Sequence, residues 1–131
     1  MNPGHDLSTP ELREWNKNLV NEIRNNKISV SFPYNGNEYN ADDVSVANMI
    51  SATITSLILK SKGADYPPGF TWRTFDNRNI PINADGVIAM SLAYFQYRAV
   101  CYQRSWELKS QIDLLSGQDL LDLDLSLGWP S

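Results

Sequence analysis

The chain has 131 residues, 42% of them apolar, with four Trp, six Tyr and four Phe. That is enough to bury one core, and it excludes a globally disordered polymer. Fifteen acidic against eleven basic residues leave a net charge of −4, and Asp113, Asp119, Asp122 and Asp124, all beyond the last basic residue Lys109, account for it. An acidic tail on a neutral body argues against a nucleic-acid partner, whose phosphates require a basic footprint, and suits a basic or polar protein surface.

The single cysteine, Cys101, cannot form an intrachain disulfide or a cysteine-based metal cluster, and its flanks Tyr97, Val100 and Tyr102 read as a buried helical environment. Met1–Asp6 is polar and contains Pro3 and Gly4, unlike a secretory signal, so synthesis in the cytoplasm is expected. The apolar stretch Ile50–Leu59 is interrupted by Ser51, Thr53, Thr55 and Ser56, so no membrane span is expected.

In chain order, Ser8-Thr9-Pro10-Glu11 predicts a helix start. Ser8 is the cap, Glu11 completes a capping box and Pro10 is tolerated in the first turn. Leu12, Trp15, Leu19 and Ile23 continue at helical spacing up to Asn25-Asn26. Ile28, Val30 and Phe32 then alternate with Ser29 and Ser31 as in a strand, Asn35-Gly36 suits the positive φ of a tight hairpin, and a return strand passes through Tyr39. Asp42 is placed to cap a second helix with Val46, Met49, Ile50, Thr53, Ile54, Leu57 and Ile58 on one side, ending at Gly63.

After the rigid connector Ala64–Gly69, residues Phe70–Phe75 alternate again, turn through Asp76–Asn79, and return on Ile80-Pro81-Ile82, an edge strand by its proline. Asp85 is the expected cap of the next helix. Asn-Ala-Asp occurs at 40–42 and at 83–85, each time after a hairpin and before an amphipathic segment, and this pairs Val44 with Val87 and Met49 with Leu92 as an internal pseudo-repeat.

The last helix, Gly86–Leu115, carries Ile88, Leu92, Phe95, Ala99, Tyr102 and Trp106 in 4-3-4-3-4 steps, the spacing of a coiled-coil seam. At about 1.5 Å per residue it would run about 45 Å, longer than the roughly 36 Å expected for a compact domain of this size. Packing against the first helix is the favoured expectation for it, with a homo-oligomer interface as the alternative. Beyond Ser116-Gly117, Leu121–Leu127 alternates strictly with polar residues. This tail covers its own domain or adds an edge to a partner's sheet, or else Asp119–Asp122 makes a helical turn capped by Ser116.

No arrangement for chemistry emerges. One histidine, His5, cannot build a triad or a histidine-rich metal site; Asp42/Asp43 and Asp122/Asp124 are explained by capping and solvation; no glycine loop cradles phosphate. No catalytic residue, metal ligand or cofactor is therefore assigned. The expected fold is α+β: two β-hairpins each followed by a helix, an N-terminal helix and an acidic C-terminal tail. Residues 1–27 form a tail and helix and residues 28–131 a hairpin-helix-hairpin-helix domain, one domain in all. The hairpins are expected to join in one small sheet, with Trp72 and Trp106 buried.

The runs Tyr39–Asp42, Phe70-Thr71-Trp72, Asp76-Asn77, Ile80–Asp85, Leu108–Ile112 and the closing Gly128-Trp129-Pro130 resemble a small uncharacterised module of tailed-bacteriophage tail-fibre and tail-fibre-assembly proteins. The resemblance covers about residues 28–131. It implies a non-enzymatic phage structural protein of the virion tail, attached to the tail or its fibres by protein–protein contacts. The alternative it offers is an assembly chaperone not retained in the particle. Other tail or fibre proteins would be the partners, with no nucleic acid and no membrane. Trp15, Trp72, Tyr97, Trp106, Leu121, Leu123, Leu125 and Trp129 are the candidate interaction residues. The second hairpin, the long helix after it and the acidic tail are favoured as the binding part, with the first helix as the other candidate.

Overall fold

A computed structural model describes residues 8–130. His5 lies outside them. Along the chain run α1 (Thr9–Val30), β1 (Ser31–Tyr34), β2 (Asn37–Asn40), α2 (Asp43–Ser61), β3 (Thr71–Arg73), β4 (Asn79–Pro81), α3 (Ala84–Leu114) and α4 (Gly117–Asp122). This is the α+β order expected, each hairpin leading into a helix.

The helix ends show how local chemistry sets the elements. Ser8 Oγ accepts from the Glu11 amide at 3.3 Å, which caps α1, and its hydroxyl donates to the Glu11 carboxylate at 2.9 Å. Asp42 receives the Ser45 amide and caps α2. At the other end of α2 the amides of Gly63 and Ala64 return to the carbonyls of Lys60 and Leu59, with Gly63 at φ +68. Asn35 and Gly36, at φ 49 and 80, form the tight turn that pairs Tyr34 with Asn37.

Four expectations are corrected. The first helix does not stop at Asn25-Asn26 but runs on to Val30, because Ile28 is buried in phase with Leu12, Asn16 and Val20 at steps of four and eight. The hairpins form two separate two-stranded sheets, linked by a backbone bond from the Phe75 amide to the Glu38 carbonyl at 2.8 Å. Asp85 does not cap α3. Asn83 does, its Oδ1 accepting from the Gly86 amide at 2.8 Å, while Asp65 Oδ1 takes the Ala84 amide at 2.9 Å and Asp85 pairs with Lys60. The true step of the repeat is therefore from Asp42 to Asn83, 41 positions, and it matches Val46 with Val87 and Met49 with Met90. Both methionines are buried in one cluster, whereas Leu92, the partner expected from the tripeptide, is exposed.

By length and composition alone, α2 is long and apolar enough to cross a membrane. The hydroxyls that interrupt it are largely turned back on the helix. Thr53, Thr55 and Ser56 donate to the carbonyls of Met49, Ser51 and Ala52, which lowers the polarity they present outward.

The chain divides into two compact units. Of the described residues, one unit comprises 8–27 together with Ala99–Pro130, and the other comprises Ile28–Arg98, so that α1 and α3 each contribute to both. In the first, Leu12, Val20, Leu108, Ile112 and Leu120 make an aliphatic core. In the second, Phe32, Tyr39, Ala41, Met49 and Met90 make an aromatic and sulfur-rich one, with Phe32 edge-on to Tyr94 at 5.2 Å between ring centroids.

Candidate functional site

In the first unit the acidic leucine tail is a structural seal. Leu121, Leu123, Leu125 and Trp129 pack on the aliphatic core, so of the two fates open to the tail the first holds: it covers its own unit. The strict alternation is not a strand. Leu120 and Leu121 turn inward from α4, and Ser116 starts that helix with an extended backbone but no side-chain cap bond.

Polar side chains of α1 and α3 fasten this wrap to backbone carbonyls. Arg13 donates through Nε and Nη2 to the Leu115 carbonyl, at 3.2 and 2.9 Å, and Asn16 Nδ2 to the Leu120 carbonyl. Arg104 donates through Nε and Nη2 to the Leu127 carbonyl at 3.0 and 2.9 Å, and Trp129 Nε1 to the Leu125 carbonyl at 2.8 Å. Gly128 between them has φ +81, and a Cβ there would stand 2.5 Å from Arg104 Nε. The Gly-Trp-Pro ending is thus a latch requirement, and no sequence motif singles out the arginines that make it.

The aromatic interaction candidates divide. Trp15 and Trp106 are exposed, at 47% and 60%, which corrects the expectation that Trp106 is buried. Trp72 and Tyr97 are half-buried against the aromatic core of the second unit. Trp72 stands opposite Ile80 as Phe32 stands opposite Tyr39, the equivalent pair of the first hairpin.

Among the described residues, the second unit has two open surfaces that bear on contact. One is a cleft of about 510 Å³ lined by Tyr34, Asn35, Tyr66, Phe70, Pro81 and Asn83, among others. Tyr66 and Phe70 stack there at 3.9 Å, and the Tyr66 hydroxyl is held by the Ala52 carbonyl at 2.9 Å. Asp65 supplies the carboxylate of this cleft, and it is occupied with the amides of Tyr66 and Ala84. The geometry suits shape-based contact with apolar or planar groups more than proton transfer.

The other open surface is the outer side of the α2–α3 pair. Thr53 touches Ser91 and Lys60 pairs with Asp85, so the two helices run antiparallel. The inward sides hold Met49 and Ser56 on α2, and Val87 and Met90 on α3. Turned away from them are Ile50, Ile54, Leu57 and Ile58 on α2, and Leu92 and Phe95 on α3, each more than half exposed. The apolar side read for α2 is therefore mostly outside, and so is the 4-3 seam of α3. On α3 the buried positions are those of the neighbouring stripe, Val87, Met90, Cys101, Leu108 and Ile112.

The perturbed acids serve local structure. Asp42 is held below the ordinary carboxylate range first by the Ser45 hydroxyl, then by its amide; Asp76 by the Thr74 hydroxyl, then by Arg78; Asp124 by the Ser126 hydroxyl and amide. Burial pushes the Tyr39 phenol up, against the opposing pull of the Asn37 side chain. No group of His, Cys, Asp and Glu able to hold a metal ion is found among the described residues.

The chain belongs to the family described as Domain of unknown function (DUF4376), whose model matches residues 11–126. The match takes in α1 almost entirely, so the first helix is part of the family domain, whereas the resemblance read from the sequence starts only near residue 28. No curated protein and no solved structure matches the chain.

Proposed function

We propose that this chain is a non-enzymatic structural component of a phage tail or tail fibre, working through protein–protein contacts. The observation that carries the contact role is the exposed, uncharged apolar surface of the second unit, where Ile54, Leu92 and Phe95 all face outward. Large contiguous apolar surface on a folded domain marks an interaction site. The assignment to a phage tail rests on the sequence resemblance of the second hairpin, the Leu108–Ile112 run and the Gly-Trp-Pro ending.

Quantitative mass spectrometry of purified virions tests this. Peptides of the chain in stoichiometric ratio to known tail proteins are the expected result. Their absence from the particle, with recovery of the chain on free fibre protein from infected cells, overturns the structural role in favour of an assembly chaperone.

A further inference from the structure

We propose that the outer face of the α2–α3 pair is a self-association surface, occupied by the same face of a second copy of this chain about a two-fold axis. Area supports this first. Ile50, Ile54, Leu57, Ile58, Leu92 and Phe95, each 51–66% exposed, together leave on the order of 700 Å² accessible, close to the roughly 800 Å² per partner of a standard interface and above the 300–600 Å² of the largest patch on a typical monomer.

Charge supports it next. No Asp, Glu, Lys, Arg or His occurs from Val44 to Leu59 on α2, or from Gly86 to Gln96 on α3, so the face offers nothing for a charged partner to match. A copy of itself supplies the required complement, apolar against apolar. Geometry adds a third support. Two antiparallel helices presenting aliphatic and aromatic side chains on one side, stacked on an identical pair, make a four-helix arrangement with a closed apolar layer, and the isologous contact leaves no open end to propagate.

A lipid surface suits the same observations less well. A helix lying in a membrane interface carries basic residues along its polar side, and α2 has none before Lys60. Here the ends of the pair are instead tied together by Lys60 and Asp85.

The test is sedimentation equilibrium of the full chain from about 1 to 200 µM, the range in which a standard-size interface is populated. A two-fold mass is expected for the wild type. Ile54→Glu and Phe95→Glu, both on exposed positions, are each expected to raise the dissociation constant at least tenfold with an unchanged far-ultraviolet circular dichroism spectrum. A wild-type monomer at every concentration overturns the proposal. So does a dimer that both variants leave intact, and so does a monomeric wild type that floats with phosphatidylcholine vesicles, which assigns the face to lipid. If a variant loses helicity, Leu92→Ser, also at an exposed position of this face, takes its place, and a dimer that it leaves intact overturns the proposal in the same way.

Discussion

Each of the two compact units is built from its own kind of contact, and the contrast explains what each presents outward. The second unit is assembled from short-range pieces, in which a turn closes a hairpin, an Asx cap starts a helix, and a small aromatic core fills in beneath. The first unit joins segments about a hundred residues apart, with α1 against the end of α3 and the tail latched over both through Arg13, Asn16 and Arg104. Lys17 adds an ion pair to Asp113 at 2.6 Å, and Arg24 lies over the Tyr102 ring at 4.5 Å. The tail covers apolar surface in the first unit; among the described residues, no such cover lies over the exposed α2 side chains of the second.

Core truncation should give the largest effects. Phe32→Ala in the aromatic core is expected to cost about 3–5 kcal/mol and Leu108→Ala in the aliphatic core about 2–5 kcal/mol, since both side chains are fully buried. Urea unfolding followed by circular dichroism and by tryptophan fluorescence checks this and also probes the division into units. Trp72 reports on the second unit, and Trp15, Trp106 and Trp129 on the first. Because α1 and α3 are each one uninterrupted helix shared by both units, the two signals should share one transition. Two separated transitions would show that the units unfold independently.

Legibility from sequence tracks the same division. Ser8, Asp42, Asn35-Gly36 and Gly63 are readable because each acts on backbone groups within a few residues of itself, so its chemistry is local. At the start of α3, Asn83 and Asp85 both fit the capping rule, and only the geometry of Gly86 separates them. In the tail, alternate leucines fit the period of a strand, yet Leu121, Leu123 and Leu125 are partly buried by α4 and a wrap over distant residues, and Leu127 stays exposed. For α3, two apolar stripes with nearly the same spacing coexist on one helix. Periodicity detects both but does not tell which of them faces the core.

The tail latch yields the next effect. Gly128→Ala places a residue with a Cβ at φ +81 and drives that atom into the Arg104 guanidinium. A cost of about 1–3 kcal/mol is expected from backbone strain and the displaced arginine. Arg104→Ala should lose about 1–2 kcal/mol by leaving the Leu127 carbonyl without its paired donors. Hydrogen exchange should show faster exchange of the tail amides in both variants. Protection equal to wild type would mean the latch is incidental to the seal.

A smaller pair of substitutions sharpens the repeat. Asn83→Ala removes the oxygen that receives the Gly86 amide and should cost about 1 kcal/mol. Asp85→Ala removes only an exposed ion pair to Lys60 and should cost between about 0 and 1 kcal/mol. Thermal melts of the two variants decide between the registers. A larger loss for Asp85→Ala would restore the 43-residue pairing in place of the 41-residue one.

The smallest expected effect concerns acid. Asp76 is held below the ordinary carboxylate value of about 4 by the Thr74 hydroxyl and by Arg78, whose Nε lies 2.8 Å away. A group whose folded-state value is lowered contributes its full stabilisation above the unfolded-state value and loses it as pH falls through the folded-state one. Asp42 and Asp124 have the same sign, so all three should erode stability below about pH 4 and none above it. Asp76→Asn keeps an oxygen for the Thr74 hydroxyl and removes the charge facing Arg78. Its melting temperature should lie slightly below wild type at pH 7, and the gap should close as pH falls through the lowered native value, where the folded-state carboxylate takes up its proton. A gap that stays constant with pH would place the effect in the shape of the turn, since an uncharged difference has no proton to lose.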